Sequence, residues 1–185
     1  MSQPSGSNEI CQLNPQTDIL RDPETGIDYL WITELSEGDE RVKKSTKNLN
    51  SRRKVPIHST LLQLGFLDYV ERVRGAGAML LFPTWNPSKG RACGAAEKWF
   101  RQFIVEAGLR DDTSFGRIVG MHAFRHTLLH RANNLSPAQD VTPITGHAGT
   151  ADAVVRGYQG ELSLENKRRA LEAITFGLDF ITPTR

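Results

Sequence analysis

Several features that define common protein classes are missing from this chain of 185 residues. No apolar run approaches the roughly 20 residues of a membrane-spanning helix, and the first residues lack the apolar stretch of a signal peptide. There is no repeat at a solenoid period and no long low-complexity tract. Only two cysteines are present, Cys11 and Cys93, and neither has a CxxC partner. The sequence therefore predicts an intracellular protein with two structural thiols and no disulfide scaffold.

The charge is nearly balanced, with 23 Lys and Arg against 21 Asp and Glu and a net charge of +2. Bulk electrostatics therefore do not indicate a nucleic-acid binder. The distribution is uneven, however, because residues 41–54 (RVKKSTKNLNSRRK) contain no acidic side chain. This stretch, which we call the basic segment, predicts a local positive surface. Its cations are Arg41, Lys43, Lys44, Lys47, Arg52, Arg53 and Lys54.

The residues on either side of the basic segment have the composition of β-strands. Residues 26–33 (GIDYLWIT) are rich in β-branched and aromatic side chains, and residues 54–58 (KVPIH) form a short apolar run. Asn48, Asn50 and Ser51 between them favour a turn. We predict a small antiparallel sheet with a basic β-hairpin.

Most of the remaining sequence has helical periodicity. We expect the first helix to begin at the N-cap candidates Ser59 or Thr60, and we assign Trp99 to the core or a loop. The fold class is then α+β and mostly helical, with the sheet packed on a helical bundle in one globular domain. The predicted helices cover residues 61–73, 95–109, 122–134 and 164–176, and a further helix begins at Ser136.

The helix predicted at residues 122–134 carries candidates for binding an anion. His122 and Arg125 are three residues apart, so an imidazole and a guanidinium on one face can bind the same anionic group. Such a pair is more often a surface or packing feature. His122, His126 and His130 also have a spacing that suits zinc, but the glutamate of an HExxH motif is missing. We expect no metal, and we expect His126 and His130 to pack or hydrogen-bond in the core.

Two further motifs follow in the last quarter of the chain. Residues 145–149 (TGHAG) place His147 after Gly146 at the end of a helix, and Tyr158 follows 11 positions later. Alone, a Gly-His pair and a tyrosine carry little information. Their order is informative, because a basic hairpin, HxxR on a helix, Gly-His and then a tyrosine occur in succession.

This ordered series resembles the signature of the tyrosine recombinases, the phage integrase family, and the resemblance to their catalytic domain covers residues 8–185. The resemblance implies an integrase-like fold and a cytoplasmic, bacterial or phage-encoded enzyme that recombines or integrates DNA, as prophages and other mobile elements require. The matching stretches are NEICQL, STKNLNSRRKVPIH, HAFRHTLLH, ITGHAG and RGYQGE.

The resemblance also assigns roles to five residues. Tyr158 would be the nucleophile and Arg125 would clamp the scissile phosphate, which His122 and His147 would flank. Lys47 would be the hairpin lysine. The other cations expected to contact DNA are Lys43, Lys44, Arg52 and Arg53. Lys44 is also the alternative hairpin lysine, because hairpin length varies.

The chemistry of phosphodiester exchange explains these residue types. A guanidinium binds two non-bridging oxygens as charge develops on the pentacoordinate phosphate, and a 3′-phosphotyrosyl ester conserves bond energy, so resealing needs no ATP. Lys47 suits protonation of the leaving 5′-oxygen. His122 suits transfer of the tyrosine proton, and His147 suits a hydrogen bond to a non-bridging oxygen. The scheme requires neither metal nor cofactor.

One position departs from the family pattern. The family has an arginine three residues before a glutamate, as the second half of the clamp, but Gly6 stands three residues before Glu9. Losing one preorganised donor lowers the rate at a comparable site by about 10²- to 10³-fold. We expect truncation just after that arginine, with residues 1–7 disordered or cloning-derived and the family's N-terminal DNA-clamping domain absent. True loss of the arginine is the alternative.

Three functions are therefore in view. The first is site-specific recombination of double-stranded DNA in a tetrameric synapse, by a protein that is a monomer or weak oligomer when free. The second is a degenerate DNA-binding remnant, and the third is DNA relaxation of the type IB topoisomerase kind. The C-terminal helix packs its apolar stripe either on its own domain or on a neighbouring subunit.

Overall fold

The computed structural model describes residues 6–46, 52–111, 118–146, 162–178 and 181. The class is α+β with a small antiparallel sheet, as the sequence predicts. In the described ranges, no helix is long and apolar enough to cross a membrane. The elements are α1 (Gly6–Cys11), β1 (Ile19–Arg21), β2 (Asp28–Ile32), β3 (Arg53–Pro56), α2 (Ser59–Gln63), α3 (Phe66–Gly75), α4 (Gly94–Glu106), α5 (His122–Asn133), α6 (Thr142–Thr145) and α7 (Leu164–Glu172).

The sheet has the strand order β1-β2-β3, and both pairs of neighbouring strands are antiparallel. Leu30 of β2 pairs with Ile19 on one side and with Val55 on the other. The β-branched and aromatic residues that predict strands at residues 26–33 and 54–58 therefore form β2 and β3. The basic segment leads into β3 as expected, although the connection between the two strands runs over residues 33–52 rather than through a tight turn.

The helix predicted after Ser59 is divided into α2 and α3 by Gly65. Gly65 has a φ of +84°, a left-handed conformation that glycine adopts without strain, and it ends the first helical repeat. The cap also differs from the prediction. His58 rather than Ser59 or Thr60 is the N-cap of α2, and its Nδ1 accepts a hydrogen bond from the Thr60 N–H at 3.0 Å.

Three other predictions differ from the structure. The helix expected to begin at Ser136 begins only at Thr142, as α6. Asp140 precedes the N-cap residue Val141 and forms a local turn, since its Oδ1 accepts a hydrogen bond from the N–H of Thr142 at 2.9 Å. Trp99 lies on α4 as expected but is 54% exposed, because α4 turns Ala96, Phe100 and Ile104 inward instead. Gly6 and Ser7, expected to lack structure, are the first residues of α1.

The described residues bury three hydrophobic clusters, and β3 lies between two of them. Val55 of β3 packs against both the cluster under the sheet and the cluster formed by α5, α6 and α7. The third cluster, beneath α4, contains Cys11 and Cys93. Both thiols are free and buried, as predicted, and burial raises the pKa of Cys11 to about 12. The members of the α5–α7 cluster are Ala132, Val141, Ile144, Ala170, Leu171 and Ile174.

Candidate active site

Two of the five residues assigned to catalysis lie in the described part of the chain. Arg125 and His122 are both on α5, where His122 is the first residue and Arg125 the fourth. Lys47, His147 and Tyr158 lie outside the described residues. The geometry of the candidate site is therefore that of α5 and of the elements packed against it.

The guanidinium of Arg125 lies directly against α1 at Gly6. A Cβ atom on Gly6 would be 2.5 Å from Nη2 of Arg125 and 3.3 Å from its Cζ, so the guanidinium occupies the room that a side chain at position 6 would need. The position at which the family pattern has a second arginine is thus the immediate neighbour of Arg125 in space.

Arg125 is also close to one carboxylate and one other guanidinium. Burial lowers the pKa of Arg125, and the positive charge of Arg53 lowers it further, whereas the negative charge of Glu9 raises it. Arg125 is half-buried, and arginine remains protonated in proteins. We call Arg125, Arg53, Glu9 and Gly6 the Arg125 cluster. With two guanidinium groups and one carboxylate, its net charge is positive and suits an anion.

Within this cluster, Arg53 connects three elements. From β3 it donates through Nη2 to Oε2 of Glu9 on α1 at 2.8 Å, and through Nε to the carbonyl oxygen of Ile144 on α6 at 2.7 Å. The side chains of Arg53 and Glu9 are only 9% and 6% exposed. Arg53, for which the sequence predicts a DNA contact, is therefore held by two internal acceptors.

One feature of the sequence predicts that Arg53 pairs with an internal carboxylate, although residue composition does not. Side chains alternate along a strand, so Arg53 shares a face with Val55, which packs in the core. A cation on the core face requires a buried carboxylate. The glutamate that the resemblance marks, Glu9, is that partner.

Gly146 precedes the predicted catalytic His147 and has a structural reason to be glycine. It ends α6 with a φ of +71°, and a Cβ there would be 2.9 Å from both Cζ and Nη1 of Arg53. Both the left-handed conformation and the close guanidinium exclude a larger side chain. Gly146, the first residue of the Gly-His pair, therefore packs against the Arg53 guanidinium.

The three histidines of α5 are exposed, and this corrects the expectation that His126 and His130 pack in the core. They line an open groove of about 860 Å³ whose other wall includes Asp140. The rings of His122 and His126 are 4.8 Å apart and edge-to-face. Burial, His126 and Arg125 together lower the pKa of His122, because each disfavours an added positive charge. A lowered pKa favours the neutral imidazole, which is the form that accepts a proton.

The positive surface predicted for the basic segment is largely neutralised in the part that the structure describes. Carboxylates from other segments, or nearby in sequence, pair with most of its cations. Lys43 is exposed, as a DNA contact must be. The ion pairs are Arg41–Asp39, Lys44–Asp18, Arg52–Glu34, Arg53–Glu9 and Lys54–Asp22.

Lys44 is the clearest case, because its ammonium is inside the protein. It lies 2.5 Å from Oδ2 of Asp18, with side chains that are 7% and 0% exposed, and it also donates to Ser36. An ammonium committed in this way suits neither a DNA contact nor the alternative role of hairpin lysine. Its function in the structure is to compensate the buried charge of Asp18.

Glu34 binds the described residues on both sides of positions 47–51, Thr46 and Arg52. Its Oε1 accepts from Nε of Arg52 at 2.8 Å, and its Oε2 accepts from the hydroxyl of Thr46 at 2.8 Å. The hydrogen bond from Arg52 is the largest cause of the lowered pKa of Glu34. Arg52, expected to contact DNA, keeps a side chain that is 33% exposed while serving this pair.

Among the residues that the structure describes, no three His, Cys, Asp or Glu side chains are grouped so that they could hold a metal ion. The chain matches no protein-family model, no curated protein and no solved structure.

Proposed function

We propose that the chain is the catalytic domain of a site-specific DNA recombinase with the integrase-like fold. The observation that supports this best is the position of Arg125, whose half-buried guanidinium lies beside Gly6 and in the field of Glu9 and Arg53. Glu9, Arg53 and Arg125, which belong to three separate motifs of the sequence, are thereby neighbours. Such a preorganised cation suits the charge that develops on a phosphodiester during exchange.

In the proposed reaction, Oη of Tyr158 attacks the phosphorus while Arg125 binds the non-bridging oxygens. The tyrosine proton passes to neutral His122, and the bond from phosphorus to the 5′-oxygen breaks as Lys47 protonates that oxygen. The product is a 3′-phosphotyrosyl link and a free 5′-hydroxyl. A 5′-hydroxyl of a partner duplex, positioned in a tetrameric synapse, reverses these steps and releases Tyr158.

The glycine at position 6 favours a second candidate, a DNA-binding remnant that cleaves poorly. The paired cations of the basic segment point the same way, because each neutralised cation removes a phosphate contact. The two candidates differ in one product. A recombinase forms a covalent protein–DNA adduct, whereas a remnant only retards DNA.

The test uses a pool of duplexes with a nick and randomised bases around it, so that no target sequence need be known. Cleavage next to the nick releases a short oligonucleotide and traps the protein on DNA, which a denaturing gel detects. We expect an adduct from the native chain and none from Tyr158→Phe. Relaxation of supercoiled plasmid without strand exchange would indicate the topoisomerase reaction instead. Retardation on a native gel without any adduct would favour the remnant.

A further inference from the structure

We propose that Arg53 is a positioning residue, which holds α1 and the end of α6 in place around Arg125, and that it does not contact DNA. This inference deepens the proposed function and rests on it for its effect on catalysis. The positioning role itself depends only on contacts among the described residues.

The contacts of Arg53 fix two elements at once. Nη2 of the guanidinium donates to Glu9 on α1 at 2.8 Å, and Nε donates to the Ile144 carbonyl on α6 at 2.7 Å. The donors of a guanidinium lie in one plane at fixed angles, so binding both acceptors sets the distance and orientation between them. A lysine at the same position has a single ammonium and cannot impose that geometry.

The link reaches Arg125 through α1. Glu9 and Gly6 are three residues apart on one helix and therefore on the same face. Gly6 lies against the Arg125 guanidinium. A shift of Glu9 relative to β3 therefore moves the surface on which Arg125 rests.

The link also reaches α6. Gly146 ends that helix and lies over the Arg53 guanidinium, with room for no Cβ between them. Loss of the guanidinium removes both the hydrogen bond to Ile144 and the surface beneath Gly146. The same side chain thus determines where α1 and α6 stand relative to each other.

Burial separates this role from DNA binding. The Arg53 side chain is 9% exposed, and its Nε and Nη2 are used by internal acceptors. A phosphate contact contributes about 0.9 to the log–log salt slope of DNA binding, so removal of a true contact lowers that slope. A positioning residue leaves the slope unchanged.

The test compares Arg53→Lys, which keeps the charge, with Arg21→Ala as a control that removes an exposed arginine outside the basic segment. We expect Arg53→Lys to lower adduct formation at saturating DNA by about 10²-fold, the effect of a misplacement near 1 Å, with an unchanged salt slope. Arg21→Ala should change neither. In Arg53→Ala, free guanidinium ion at millimolar concentration should restore part of the rate, since it refills the site between Glu9 and Ile144.

A DNA-free measurement separates this inference from the proposed function. The NMR resonance of the Arg125 Nε–H should shift in Arg53→Lys. If Arg53→Lys does not fold, the same shift should be measured in Glu9→Gln, which is a milder change. A moved resonance without any adduct from the native chain would refute the recombinase but keep the positioning role. An unmoved resonance, a native rate of adduct formation in Arg53→Lys, or a salt slope lowered by about 0.9 would overturn the positioning role.

Discussion

Replacing Gly6 with arginine tests the half of the phosphate clamp that this chain lacks. The backbone at Gly6 does not have a positive φ, so an arginine there is not strained by conformation. The atom that its Cβ would meet is the end of a flexible side chain, Nη2 of Arg125 at 2.5 Å. The new guanidinium would therefore share the site with Arg125 after a small displacement.

The magnitude has two opposing parts. An ordinary contact is about 3.5 Å, so Nη2 of Arg125 must move by about 1 Å, and a misplacement of that size costs up to about 10²-fold in rate. A second preorganised donor contributes about 10²- to 10³-fold. Gly6→Ala isolates the first part, because it adds the Cβ without the guanidinium.

The assay is the rate of adduct formation on nicked duplexes at saturating DNA. We expect Gly6→Arg to exceed the native rate by up to about tenfold and to exceed Gly6→Ala by about 10²- to 10³-fold. The ratio to Gly6→Ala is the decisive quantity, since both variants carry the steric cost. Equal rates for the two variants would show that position 6 does not face the scissile phosphate, and would refute the argument from the Arg125 cluster.

Three other outcomes are expected. Because the pKa of His122 is lowered from its ordinary 6.5, the rate of adduct formation should stay constant near pH 7 and fall only at lower pH, and His122→Asn should abolish that acidic limb of the profile. Lys44→Met should lower the free energy of unfolding, measured in urea, by about 3–5 kcal/mol, because it leaves the Asp18 carboxylate buried without its partner. Adding Asp18→Asn should recover part of that loss. A loss below about 1 kcal/mol in Lys44→Met would contradict a buried ion pair. Cys11, with a pKa of about 12, should react with a thiol reagent at pH 8 only when the protein unfolds.

The sequence predicts those parts of the fold that depend on neighbours along the chain. β2 and β3 follow from β-branched and aromatic composition, and α4 and α7 from apolar periodicity. The break at Gly65 and the turn at Asp140 are not predicted from the sequence, because one glycine and one local hydrogen bond from the backbone to a carboxylate interrupt a helical pattern. Local competition of this kind is resolved by packing rather than by propensity.

The sequence predicts less about which cations are free. The basic segment has no acidic residue, yet Asp18 and Glu34 reach Lys44 and Arg52 from earlier parts of the chain. Such pairs depend on the tertiary fold, and a run of like charges in sequence does not indicate a charged surface. For the same reason, the motifs mark Arg125 and Gly6 separately, and only the fold shows that they touch.

Mapping the site of covalent attachment by tandem mass spectrometry addresses the recombinase proposal most directly. The adduct formed on nicked DNA is digested with nuclease and protease, and the peptide that carries a nucleotide is sequenced. We predict one modified peptide, with the phosphate on Tyr158, from both the native chain and Gly6→Arg. Attachment at another residue, or no modified peptide from either protein, would contradict strand cleavage by Tyr158.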